Sequence, residues 1–190
     1  MKFKKSVIGV AVIALPVAGL LLAAKSPQEA QAAKVARGKY LVAFGGCNDC
    51  HTPMKMGPRG PEPDSSRLLS GHPDNAHLPP PPKLPPGQWS VVVAGLTAWA
   101  GPWGTSYAAN LTPDQNTGLG IWTEEVFIKS MRTGKHYGVA RDILPPMAWQ
   151  SLAALTDEDL KAIYAYLRSI PPVKNRVPAP APPSGEGSFE

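Results

Sequence analysis

Only two cysteines occur in the 190 residues, and a histidine directly follows the second: Cys47, Asn48, Asp49, Cys50, His51. This spacing constrains the chain more than any other feature, because few chemistries use two thiols three positions apart with an imidazole beside them. One is covalent capture of a porphyrin. Each thiol adds to a vinyl group at the ring edge, the two intervening residues let the backbone turn between those edges, and the next imidazole is held under the iron. A disulfide or thioredoxin-like redox pair would also use Cys-x-x-Cys, but with a βαβ pattern that is not visible here. A structural zinc site needs about four ligands, and there is no second cysteine pair. An inert chance pair is the remaining alternative. The reading adopted is one haem c, covalently bound through Cys47 and Cys50, with His51 as proximal ligand.

A six-coordinate iron needs a second axial ligand. Met54, Met56, Met131, Met147, His72, His77 and His136 are the candidates. Met54 and Met56 follow His51 so closely that the chain, at roughly 3.5 Å per residue, barely passes round a ring edge. Met131 stands one helical turn after Phe127, which reads as a core position. The three histidines sit among proline, glycine and polar residues and read as surface positions. Met147 follows Pro145 and Pro146, which fix φ, remove backbone donors and stiffen the loop that presents the thioether. Met147 is therefore the expected sixth ligand, with Trp149 as an apolar wall nearby. A methionine and histidine pair raises the reduction potential relative to two histidines.

The rest of the chain reads as mainly α. Residues 34–44 place Tyr40, Leu41 and Phe44 at helical spacing, and Gly45 and Gly46 end that helix. Thr123 caps a second helix, with Glu124 and Glu125 at its positive end, Trp122 and Phe127 as a hydrophobic staple and Gly134 as the stop. Thr156 and Asp159 resemble a capping box for a third helix, whose stripe is Leu160, Ile163, Tyr164 and Leu167 and which Pro171 and Pro172 close. Between the first and second helices the chain is rich in glycine and proline, and loops rather than a sheet are expected there. The 23 prolines cluster at 79–86 and 171–183, and residues 174–190 read as a disordered tail without chemistry.

Lys2, Lys4 and Lys5 precede an apolar run over residues 7–24 and a small-x-small site at Ala30, Gln31 and Ala32, the layout of an export signal or an amino-terminal anchor. The domain is then expected over residues 33–173. The chain carries 19 basic and 14 acidic residues; setting aside Lys2, Lys4, Lys5, Lys25 and Glu29 leaves 15 and 13. With so small an imbalance and no basic stripe interleaved with aromatics, nucleic-acid binding is excluded as a reading.

Taken together, Cys47 to His51, the helix ending at Phe44, the run Leu144, Pro145, Pro146, Met147 and the helix over residues 156–169 resemble the class I, single-haem cytochrome c family of exported bacterial proteins. The resemblance covers most of the chain after residue 32. It implies a compact α fold whose first and last helices cross beside the haem, with Gly38 or Tyr40 and Phe44 against Tyr164 or Leu167. It also implies that residues 107–114 line the haem pocket, with Trp103, Tyr107 and Asn110 as ring or propionate neighbours. The proline-rich stretch between His51 and Gly104 is longer than in the smallest members of that family.

The function implied is electron transfer between exported or membrane redox proteins, with a dehydrogenase, oxidase or membrane complex as partner and no substrate bond made or broken. The protein would lie in the periplasm or on the outer face of the cytoplasmic membrane. The competing readings are a peroxidase-like haem enzyme and a gas sensor, both of which need a labile sixth ligand.

Overall fold

The computed structural model describes residues 25–80 and 92–183. Residues 1–24 of the export segment or anchor expected over residues 1–32, and the final residues 184–190, lie outside them. Five helices and two small antiparallel sheets make up the described chain: α1 (Pro27–Phe44), α2 (Cys47–His51), β1 (Met54–Gly57), β2 (Gly60–Pro63), β3 (Val92–Ala94), β4 (Ala98–Gly101), β5 (Gly104–Tyr107), α3 (Glu124–Thr133), α4 (Trp149–Ala153) and α5 (Asp157–Ser169). Among the described residues no helix is long and apolar enough to cross a membrane.

The caps form where the sequence places them. Thr123 Oγ1 accepts from the Val126 amide, Thr156 Oγ1 accepts from the Asp159 amide, and Gly134 ends α3 in the left-handed conformation. The first helix is longer than expected. Ser26 and Glu29 make a reciprocal capping box, with Ser26 N donating to Glu29 Oε2 at 2.8 Å and Glu29 N to Ser26 Oγ at 3.2 Å, and Pro27 is in the first helical position. The boundary expected at residue 33 thus falls inside α1. At the other end of the chain the capping box is incomplete, because the Asp159 carboxylate reaches across to Arg37 (2.8 and 3.2 Å).

α1 and α5 cross at Gly38. A Cβ there would lie 1.9 Å from the Ala162 carbonyl oxygen and 2.8 Å from Tyr166 Cβ, so the backbones touch as only glycine permits. Leu41 and Val42, three and four positions on, bury the same stripe against Leu160, Ile163 and Leu167. Each fully buried leucine of that set contributes about 1.5–3 kcal/mol of transfer free energy. Tyr40 and Phe44, expected in this crossing, lie outside it. They are 58% and 80% exposed and stack on each other at 6.0 Å, because i and i+4 positions share a face and theirs is rotated away from Gly38. Trp122, Phe127 and Met131 of the α3 region complete the core, with Tyr164 Oη donating to the Trp122 carbonyl at 2.6 Å.

Two expectations need correction. Loops were expected between the first and second helices. Instead, Met54–Gly57 pairs with Gly60–Pro63, and β3, β4 and β5 form a three-stranded meander. The β1–β2 pairing is tolerated because the prolines of β2 sit on a strand with one partner only, where missing N–H donors leave no gap in a central ladder. Nor are residues 174–183 of the tail disordered: Asn175 is fully buried and Ala181 pairs with Thr105. Proline-rich chain makes few internal hydrogen bonds, and here Asn175 and Ala181 are bound by the domain instead.

Candidate haem-binding site

α2 is one helical turn that contains both thiols and the imidazole. Gly46 enters it in the left-handed conformation (φ 66°), turning the chain sharply out of α1. Cys47 and Cys50 are free and half-buried. Burial pushes the Cys47 thiol up, and burial followed by the Asp49 charge does the same to Cys50, so both stay protonated near neutral pH. His51 is buried, and its Nδ1–H donates to the Ala109 carbonyl at 2.7 Å, which leaves Nε2 as the nitrogen that could hold a metal. Burial is also the larger influence on its pKa and holds it below the ordinary histidine value, partly offset by the Ala109 contact. The ring is therefore the neutral imidazole that a metal requires.

Met147 is half-buried in the turn that precedes α4. Its amide donates to the Leu144 carbonyl at 3.3 Å, and its carbonyl accepts from Trp149 N at 2.9 Å. Two contacts fix this turn. Ser106 Oγ donates to the Pro145 carbonyl at 2.6 Å and accepts from Trp103 Nε1 at 3.3 Å. On the other flank the Trp149 indole lies over Gly134, where a Cβ would come within 2.4 Å of the ring. Trp149, expected as an apolar wall near Met147, rests its indole on the α3 terminus.

One stretch of chain, 105–111, serves both candidate ligands. Ser106 holds the Pro145 carbonyl, Ala109 accepts from His51, Ala108 O accepts from His72 N at 2.9 Å, and Leu111 N donates to Leu69 O at 2.9 Å. Tyr107 packs on the His72 ring at 4.9 Å, and the Trp103 indole is tied to Ser106. Asn110, expected as a haem neighbour, is committed elsewhere: its side chain bonds Thr112, Thr117 and the Val173 carbonyl.

The other candidates separate clearly. Met131 is core, Met56 is 77% exposed, and His77 is exposed. His136 is half-buried beside Trp122, at 5.2 Å between ring centroids, rather than a plain surface residue. His72 overturns the surface reading outright, with 2% of its area exposed and Nδ1 paired with Thr97 Oγ1 at 2.9 Å. No local pattern announced this, because its burial comes from β4 and β5, which lie far along the chain. It lines a cavity of about 200 Å³ with Pro53, Met54, Leu78 and Gly95.

Burial, then the Arg67 charge, lowers the His72 pKa from 6.5, and His136 is lowered likewise by burial and Arg141. As pH falls through the unfolded value, the unfolded chain takes up protons that the folded one refuses, so stability is lost on acidification. The melting temperature is expected to drop between pH 7 and about 5, with a shallower slope in His72→Gln. An unchanged slope in that variant would remove His72 from the account.

No family model matches the chain. It is 31% identical over 166 residues to the gluconate 2-dehydrogenase cytochrome c subunit of Pantoea cypripedii, covering 85% of this chain and 29% of that protein. To the fructose dehydrogenase cytochrome subunit of Gluconobacter japonicus it is 27% identical over 161 residues, covering 82% and 26%. To the cytochrome c subunit of the quinone-dependent alcohol dehydrogenase of Gluconobacter oxydans it is 29% identical over 154 residues, covering 80% and 25%. The chain therefore spans less than a third of the length of these relatives. Its homologues include cytochrome c subunits of dehydrogenases, and its mainly helical fold is of the cytochrome c kind.

Proposed function

We propose that this chain is an electron carrier with a single haem c, bound covalently through Cys47 and Cys50 and ligated by His51 and Met147. The observation that carries the reading is α2, which holds both thiols and a neutral imidazole on one turn, with Nδ1 engaged by Ala109 and Nε2 left to coordinate. When bound, the haem supplies a reversible one-electron couple. The residues of this chain do the rest. The two cysteines set the position of the ring edge, Ala109 orients the imidazole and raises its basicity, and Ser106 with Trp149 keeps the Met147 turn from shifting. Rigid ligand segments keep reorganisation small when charge changes.

The partners in this reading are a dehydrogenase and an acceptor at or beyond the cytoplasmic membrane, the chain being exported. The relatives named as dehydrogenase cytochrome subunits support that choice over an oxidase. The protein carries electrons and makes no substrate bond.

The test is the optical spectrum of purified protein. The ferric form is expected to be low-spin, with the weak near-infrared band of a methionine–iron bond. Met147→Ala should lose that band and show a lower reduction potential and rapid carbon monoxide binding when reduced. A wild-type protein that is high-spin, or that binds carbon monoxide rapidly at neutral pH, would instead place the chain with peroxidase-like enzymes or gas sensors.

A further inference from the structure

The segment after α5 crosses both ligand-bearing parts of the domain. On the His51 side its key residue is Asn175, fully buried, with every hydrogen-bonding position of its side chain filled. Oδ1 accepts from Arg67 Nη2 and from Asp74 N, each at 2.9 Å, and Nδ2 donates to the carbonyls of Ser70 (2.7 Å) and His72 (2.8 Å). Those two carbonyls flank Gly71, whose amide donates to the His51 carbonyl at 2.8 Å. Gly71 also lies so close to the Ala108–Ala109 backbone that a Cβ would come within 2.4 Å of the Ala108 oxygen. Asn175 therefore clamps a segment in contact with both the His51 main chain and the backbone that orients its ring. Its own amide is held by Thr117 Oγ1 at 3.0 Å.

Six residues further on, the same segment reaches the Met147 side. Thr105 N donates to Ala181 O at 2.9 Å, and Ala181 N donates to Thr105 O at 3.0 Å. The approach is close enough that a Cβ on Gly104 would lie 2.1 Å from the Ala181 oxygen. The residue after Thr105 is Ser106, whose hydroxyl holds the Pro145 carbonyl two positions before Met147.

We propose that residues 171–183 are a strap that fixes the two axial-ligand segments relative to each other, with Asn175 as positioning residue on the His51 side and Ala181 on the Met147 side. The inference rests on the axial pair proposed above. Neither residue is a ligand; Asn175 acts through Gly71, which bonds the His51 carbonyl, and Ala181 acts through Thr105 and Ser106, which bonds the Pro145 carbonyl. A strap of this kind keeps the Met147 turn seated, and loosening it makes the sixth position easier to invade.

The experiment uses the full chain loaded with haem and measures imidazole affinity of the ferric protein, an exogenous ligand that competes with Met147, at a temperature where far-ultraviolet circular dichroism shows every variant folded. Ala181→Pro removes one of the two bonds to Thr105 and leaves the Asn175 clamp. It is expected to tighten imidazole binding about threefold or more, roughly the loss of one neutral hydrogen bond, and to speed amide hydrogen exchange at Thr105 and Ser106. Asn175→Ala removes the clamp and is expected to tighten binding further, with less than additive effect when combined with Ala181→Pro, as coupled sites show. If Asn175→Ala does not fold, Ala181→Pro decides alone.

Wild-type affinity in Ala181→Pro, with the methionine–iron band present in wild type, would reduce the segment to packing and overturn the strap. Absence of that band in wild type would instead overturn the axial reading beneath it. The two failures are thus told apart by one spectrum.

Discussion

Gly38→Ala is expected to lose about 3 kcal/mol of stability, and Gly38→Leu to leave the chain unfolded at room temperature. In an ordinary exposed helix the alanine change would gain about 1 kcal/mol from propensity alone, so the sign itself is diagnostic. The reason is the crossing of α1 and α5. The new Cβ would stand 1.9 Å from the Ala162 carbonyl oxygen and 2.5 Å from its carbon. Both are main-chain atoms of a helix whose other face is packed into the core, so neither side can yield without separating the helices and uncovering Leu41, Val42, Leu160 and Ile163. Urea unfolding followed by far-ultraviolet circular dichroism measures the change through its midpoint and slope. An alanine variant as stable as wild type would mean that the two helices do not meet at this position.

The second large effect concerns cofactor retention. In Cys47→Ser combined with Cys50→Ser, acid–acetone extraction or a denaturing gel stained for haem is expected to strip essentially all haem from the chain, where wild type keeps essentially all of it. Either single substitution leaves one thioether and an intermediate result. The geometry behind this is α2, in which the two sulfurs and the His51 ring share a single turn fixed by Gly46 and by the Ala109 contact. With the sulfurs gone, the proposed ligands His51 and Met147 remain, so the variant separates attachment from coordination. Haem that survives denaturation in the double serine variant would sink the covalent assignment.

What the sequence made legible was local. Thr123, Gly134, Thr156 and the stripe through Leu160, Ile163 and Leu167 act within a few residues of themselves, and their effects are seen where expected. The spacing of Cys47, Cys50 and His51 is local in the same way. What escaped depends on partners far along the chain. Tyr40 and Phe44 have the same helical spacing as a core stripe, and only the position of Gly38 against Ala162 decides which side of α1 turns inward. His72 is buried by Thr97 and Tyr107, and Asn175 by Ser70, His72 and Arg67, across separations of 25 to 108 residues. The prolines clustered over residues 171–183 looked like unbound chain, because composition reports which hydrogen bonds a segment cannot make with itself. It does not report which ones the domain makes with it.

The meeting of α1 with α5 also sets an order of events in time. Arg37 finds Asp159 122 residues later, and Gly38 finds Ala162 at a similar remove. Contacts between such distant points form late, since the chain must close a long loop before they reward it. During synthesis α1 emerges well before α5, so the core built between the two helices is missing until α5 has appeared. Cys47 and Cys50, three and six residues beyond the end of α1, spend that interval accessible. The topology thereby provides a window in which the thiols can react before α5 arrives and completes the core against which Cys47 packs.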